Sequence, residues 1–195
     1  MNQPLVFLFI FLSVSTSGFA QLYKKGYYYT QDGQRVEGQF RHSYKAHWGT
    51  GPDNTFSFKA TKNAPKKILT TKGVKALVIE KDSFTVIKNI RLSESTAYDE
   101  DFVQVVKAGK INLYKHFSDS ESADTGTLDQ TFSYLAEKDG KVTLLKRKEF
   151  KSQMAKLIAD DPDLLKKIQN RELKYDHVEK VVDAYNQRFE QEKSR

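Results

Sequence analysis

Between about residue 24 and residue 145 the chain alternates apolar and polar positions in short runs, broken by Gly, Asp, Asn and Ser. That is the period of half-buried strands joined by tight turns. The organising stretch is FVQVVKAGKINLYKHF, residues 102–117. Two runs rich in Val, Ile and aromatics flank Ala108-Gly109-Lys110, which predicts a central hairpin with Gly109 supplying a positive φ at the turn. In the second run Ile111, Leu113 and Lys115 point one way, and Asn112, Tyr114 and His116 the other. The first run carries Val103, Val105 and Val106 at mixed parity, the pattern of a strand covered on both faces.

Similar patterns surround it. GYYYT and RVEGQF, on either side of Asp32-Gly33, predict an opening hairpin in which both turn residues tolerate φ > 0. Gly38, inside the second of these strands, predicts a bulge or a close backbone approach. Residues 42–54 read as loop, and Phe56 and Phe58 alternate with polar neighbours as a strand. Residues 61–73 read as a loop or weak edge strand. Residues 74–80 and 84–90 predict a hairpin turning at Lys81-Asp82-Ser83. The polar run 93–101 reads as a connection and 118–130 as the most loop-like piece. Two last strands are expected at 131–137 and 141–145, joined by Asp139-Gly140. The total is about nine short strands.

The period changes at Arg147. Phe150, Met154, Leu157 and Ile158 recur at helical spacing. Asp161 is placed to cap a second helix, with Pro162 at its first position and Leu164, Leu165 and Ile168 on its apolar face. Asp176 is placed to cap a third, striped by Val178, Val181, Val182, Tyr185 and Phe189. The expected fold is α+β: a mainly antiparallel sheet followed by two or three packed C-terminal helices. Residues 21–146 form the β-rich region, 147–190 pack on it within one domain, and 191–195 fray.

Composition changes the picture at the N-terminus. Leu5 to Leu12 is an uninterrupted apolar run, followed by small and polar residues ending in Gly18-Phe19-Ala20. This is the layout of a secretory leader cleaved before Gln21, although no Lys or Arg precedes the apolar core. The run is too short for a permanent membrane helix, so no span is expected after cleavage. Cysteine is absent, which excludes a disulfide scaffold and thiol catalysis. The net charge of +7 lies entirely in the mature part and, in an exported protein, points to an envelope protein or an anionic glycan as partner rather than nucleic acid.

The charge is unevenly spread. Lys59, Lys62, Lys66, Lys67, Lys72 and Lys75 fall in a window without acids, a candidate patch for an anionic partner. Edge protection and solubility are the preferred reading of those lysines. Tyr44, His47 and Trp48 in the 42–54 loop form a candidate platform for a sugar ring.

The remaining chemistry is thin. His42 and His47 lack the helical two-histidine spacing of a zinc site and read as solvent-facing loop residues, and His116 reads as capping the central hairpin. His177 has no ligand spacing either. Asp119, Glu121, Asp124 and Asp129 lack the calcium-loop spacing, and the cluster Asp99-Glu100-Asp101 reads as pairing with nearby lysines. Nucleophile-elbow, phosphate-loop and dinucleotide motifs are missing. No catalytic, cofactor or metal residue is therefore assigned, and no cofactor is expected.

The order of landmarks carries a resemblance: Gly26 to Gly38 around Asp32-Gly33; KALVIEKDSF at 75–84; DFVQVV at 101–106 with GKINLY at 109–114; and Tyr185-Asn186 in the last helix. Together they resemble an uncharacterised family of exported Bacteroidetes envelope proteins, over nearly all of residues 24–186. The resemblance implies export and a sheet-plus-helices layout. Some similar proteins continue into an outer-membrane β-barrel, so it implies a member lacking that part. It implies no activity.

The expectation is thus an exported, non-enzymatic envelope or secreted protein that binds or supports, in the periplasm, at the outer membrane or in the medium. The alternative is an enzyme acting on envelope polymers through His42, His47 or the carboxylates of 99–101. That alternative requires these side chains to converge in one concave pocket. A third possibility is a sheet edge that accepts a strand from another chain.

Overall fold

A computed structural model describes residues 23–44, 54–121 and 128–193. Ten strands form one antiparallel sheet: β1 (Lys24–Thr30), β2 (Arg35–Tyr44), β3 (Asn54–Lys59), β4 (Lys67–Leu69), β5 (Val74–Ile79), β6 (Asp82–Arg91), β7 (Ala97–Lys107), β8 (Asn112–Glu121), β9 (Leu128–Lys138) and β10 (Lys141–Leu145). Three helices follow: α1 (Phe150–Leu157), α2 (Pro162–Gln169) and α3 (Val178–Lys193). The spatial order is β10-β9-β8-β7-β6-β5-β1-β2-β3-β4. This is the expected α+β class. The added strand is the short edge strand β4.

Several elements differ from their sequence pattern. β7 begins at Ala97, so Asp101 lies in a strand rather than in a connection. β8 and β9 extend through part of the expected 118–130 loop, because their ladder continues to Glu121↔Leu128. Asp32-Gly33 does not form a two-residue turn: only Gly33 is left-handed (φ 86°), and Gln31-Asp32-Gly33 make a three-residue loop. At Asp139-Gly140 both residues do have positive φ, 52° and 76°, as a two-residue hairpin requires. The β5–β6 turn falls on Glu80-Lys81, one residue earlier than expected, with Glu80 left-handed. α3 extends to Lys193.

Asp161 caps α2 as expected, its Oδ1 accepting the Leu164 N–H at 3.0 Å. Asp176 does not cap α3. A 3-10 turn over Tyr175–His177 precedes that helix, and Asp176 instead accepts both arms of the Arg147 guanidinium.

The sheet coils, and three apolar clusters result. On one face Tyr28, Phe40, Phe56, Phe58, Leu77, Phe84 and Phe102 pack together as β2 and β3 fold across β7 and β8. Further along, Ile111, Leu113 and Ala136 meet the apolar stripes of the helices at Met154, Ile158, Ile168, Val182 and Tyr185. A third cluster, Ile87, Ile90, Val103, Tyr114 and Leu135, fills the space where β10 curls toward β6. Ile87 and Ile90 share that cluster despite opposite parity because Asn89 between them is left-handed (φ 56°) and rotates the strand.

Gly109 is needed for a reason other than its φ, which is not positive. A Cβ there would stand 2.6 Å from the Asn186 side chain. Asn186 lies against this turn because its amide accepts from the Ile111 N–H at 2.9 Å and donates to the Ile111 carbonyl at 2.8 Å, fixing α3 to the sheet. Gly109→Ala is expected to expel Asn186 and orphan two buried backbone groups, costing about 2 kcal/mol or more. Urea denaturation checks this, and the same change in an Asn186→Ala background should cost much less. Gly38 is likewise a close approach rather than a bulge, since a Cβ would lie 2.3 Å from the Phe58 ring.

Candidate functional site

Ionisable side chains converge where the ladder between β7 and β8 opens. Their pairing runs only from Lys107↔Leu113 to Gln104↔Lys115. Beyond that point each strand keeps its outer partner, β6 or β9, and the first residue of β3 enters the gap. Strand backbone left without a partner demands other hydrogen bonds. Asn54 provides them: its Nδ2 donates to Asp101 Oδ2 at 3.0 Å and to the Phe117 carbonyl at 3.0 Å.

Asp101 is the acceptor at the centre. Its carboxylate receives the Phe102 N–H (2.7 Å), the Asn54 N–H (3.3 Å to each oxygen), the Asn54 amide and the His116 Nε2–H (2.8 Å). Asp101, His116 and Asn54 are each 0% exposed. The lone pairs of a carboxylate so surrounded are met by protein donors rather than by water. His116 Nδ1 is buried and has no hydrogen-bond partner among the described residues, so none of their hydroxyls completes a nucleophile–histidine–carboxylate relay there.

His42 extends the cluster toward the aromatic core. Its ring stacks on Phe56 at 4.3 Å and 13°, with Phe84 and Phe117 edge-on at 5.2 and 5.6 Å. Both Asn54 amide hydrogens are engaged elsewhere, so His42 Nε2–H donates to Asn54 Oδ1 at 3.0 Å. Burial lowers its pKa from 6.5 to about 4, outweighing the bond to Asn54 and the charge of Asp101, and keeps the ring neutral.

These positions correct three sequence expectations. His42 is not a solvent-facing loop residue: β2 continues through it, and stacking on Phe56 draws the ring inward. His116 does not cap the hairpin end but lies buried within β8. Asp101 is not in a connection but in β7, where it pairs with His116 and Asn54. Asn54, at the end of the loop-like 42–54 stretch, is the first residue of β3, and a lone Asn in a Gly- and Pro-rich stretch carries no sequence signal for this role.

The other candidates do not gather here. Lys62, Lys66, Lys67 and Lys72 are exposed on the edge strand β4 and the loops beside it, where Ile68 is 47% exposed, while Lys59 is half-buried at the end of β3 and Lys75 exposed in β5. Tyr44 is placed only as the last residue of β2, and His47 and Trp48 lie outside the described residues. Asp119 and Glu121 belong to β8 and Asp129 to β9, while Asp124 is outside the described residues. His177 Nδ1 accepts the Lys174 N–H at 3.2 Å. Among the described residues no group of three or more His, Cys, Asp or Glu is arranged to hold a metal ion. No described helix is long and apolar enough to cross a membrane.

A second polar group ties the helices down. Lys138 Nζ donates to the Leu157 carbonyl and reaches Tyr185 Oη, each at 2.6 Å, and the Tyr185 hydroxyl donates to Asp160 at 2.8 Å. Burial and the bond to Asp160 push the Tyr185 pKa upward. Glu179 accepts from Tyr134 Oη (2.5 Å) and Lys115 Nζ (2.9 Å), and these two bonds hold its pKa below the usual glutamate value. Both are inter-element ties.

The chain matches no family model, no curated protein and no solved structure.

Proposed function

We propose that this chain is an exported, non-enzymatic protein of the bacterial envelope or surroundings, one that binds or supports rather than transforms its partner. The observation behind this reading is the state of the Asp101–His116–Asn54 cluster. Its members are 0% exposed and their donors and acceptors are directed at one another across an open ladder. A reacting group needs access and a convergent pocket, whereas a buried polar set whose members bond one another specifies which strands meet. The leader-like N-terminus and the ordered glycine and aromatic landmarks support export.

Fractionation of a tagged full-length chain in its native host tests export. The expected result is a shortened polypeptide beginning near Gln21 in periplasm, outer membrane or medium. Retention of the intact leader on a cytosolic polypeptide would sink the proposal. The enzymatic alternative draws on His42 and Asp101 lying in one cluster. It requires hydrolysis of an envelope polymer by the purified protein, abolished by His42→Gln with the fold intact; the expected result is no turnover.

A further inference from the structure

The helical end of the molecule carries a concavity of about 380 Å³ between the start of α1, the end of α2 and the 3-10 turn before α3. Five cations line it, Arg147, Lys148, Lys151, Arg171 and Lys174, against a single carboxylate, Asp176. Its remaining wall is apolar or aromatic and includes Phe150, Leu173 and Tyr175. Neither the sequence patch at 59–75 nor the buried cluster shares a residue with it.

The cations are held in different ways. Arg147 is fork-bonded to Asp176 at 2.6 and 2.8 Å and lies over the Tyr175 ring at 4.8 Å, which fixes its plane. Lys151 is held at the rim by the Gln169 carbonyl at 2.9 Å. The charged ends of Lys148, Arg171 and Lys174 pair with no carboxylate among the described residues. Arg171 is moreover kept at the mouth by a left-handed backbone (φ 65°) just past the end of α2. Like charges gathered in one concavity repel one another, and a bound anion relieves that repulsion.

We propose that this cavity binds the phosphate monoester of a small sugar, free or as the end unit of a glycan. A monoester carries about −1.5 to −2 charge near neutral pH, matching several uncompensated cations better than a single carboxylate does. Lysine and arginine are the side chains suited to phosphate oxygens, arginine through its planar fork. The volume lies at the small end of ligand pockets, enough for a monosaccharide unit and not for a folded polymer. Leu173 and Tyr175, both half-buried, offer the C–H face of such a ring an apolar surface. The inference rests on the binding half of the preceding proposal and is independent of export.

The test is a titration of the purified chain with glucose 6-phosphate, glucose and inorganic phosphate, followed by amide chemical shifts and calorimetry. Glucose 6-phosphate should bind saturably, shift the amides of Leu173 and Tyr175, and weaken as salt is raised; glucose should not bind. The triple variant Lys148→Gln, Arg171→Asn, Lys174→Gln removes exposed charges, and Asn tolerates the left-handed backbone at position 171. It should lose about tenfold or more in affinity with an unchanged urea midpoint. Should it fail to fold, Lys174→Gln alone is expected to weaken binding by severalfold. Absence of saturable binding, or equal affinity in a folded variant, overturns the site. Inorganic phosphate binding as tightly as glucose 6-phosphate overturns the sugar assignment. None of these results bears on fractionation, so the two proposals fail separately.

Discussion

Replacing Asp101 with alanine should destabilise the protein by about 3–5 kcal/mol, a large share of the stability of an ordinary domain. The carboxylate is 0% exposed and accepts from Asn54 N–H, Asn54 Nδ2 and His116 Nε2 as well as from its neighbour Phe102. Alanine leaves those buried donors facing one another without an acceptor and a gap where the oxygens were. Urea denaturation measures the loss. The partner is tested by a double-mutant cycle: Asp101→Leu and His116→Leu together should cost less than the two changes summed, with a coupling of about 1–3 kcal/mol. Additive costs would mean that the two residues stabilise different things. A change of less than about 0.5 kcal/mol for Asp101→Ala, the range of ordinary surface substitutions, would contradict the buried clasp altogether.

Acidification should weaken the fold well above the range in which carboxylates titrate. His42 has its pKa lowered from 6.5 to about 4 in the folded protein, first by burial. The unfolded chain takes up a proton near pH 6.5 while the folded chain resists until about pH 4. Stability is therefore full above pH 6.5 and falls as pH drops through that window, by about 3 kcal/mol in all. His42→Gln retains a donor for Asn54 Oδ1 and does not titrate, so the difference between wild type and variant isolates this slope. Denaturant midpoints measured across that range supply the check; a parallel decline in both proteins would remove His42 as its origin. Glu179 is separable by its window. Its pKa is depressed by Tyr134 and Lys115, so its contribution is present above the unfolded glutamate value, about 4.3, and is lost only as pH falls below it.

Much of the fold was legible because its signals are local. Alternation of Phe56 and Phe58, of Ile111 and Leu113, and the turn residues Asp139-Gly140 each act within a few positions. The α2 start was readable for the same reason: Asp161 caps and Pro162 begins the helix within one turn of chain. Asp176 shows where such reading stops. A good cap residue was taken instead by Arg147, a competitor 29 positions away. Likewise, 97–101 is polar enough to resemble a connection, and only pairing with β6 makes it a strand.

The site was less legible still. Asp101, His116, Asn54 and His42 come from four strands, and nothing in their spacing distinguishes them from surface residues. The basic concavity is assembled from α1, α2 and the turn before α3, so its cations, scattered from 147 to 174, form no charge run of the kind seen at 59–75.

By itself the sequence determined the class of fold and the change from period 2 to period 3.6 at Arg147, because periodicity, caps and turns are properties of neighbouring residues. Only the tertiary structure decided that the β7–β8 ladder opens, that Asn54 fills the opening, that Gly109 yields to Asn186, and that lysines and arginines from separate elements face one cavity. The first three depend on how a long sheet coils and the last on how the helices pack, and both bring together groups that chain order keeps apart.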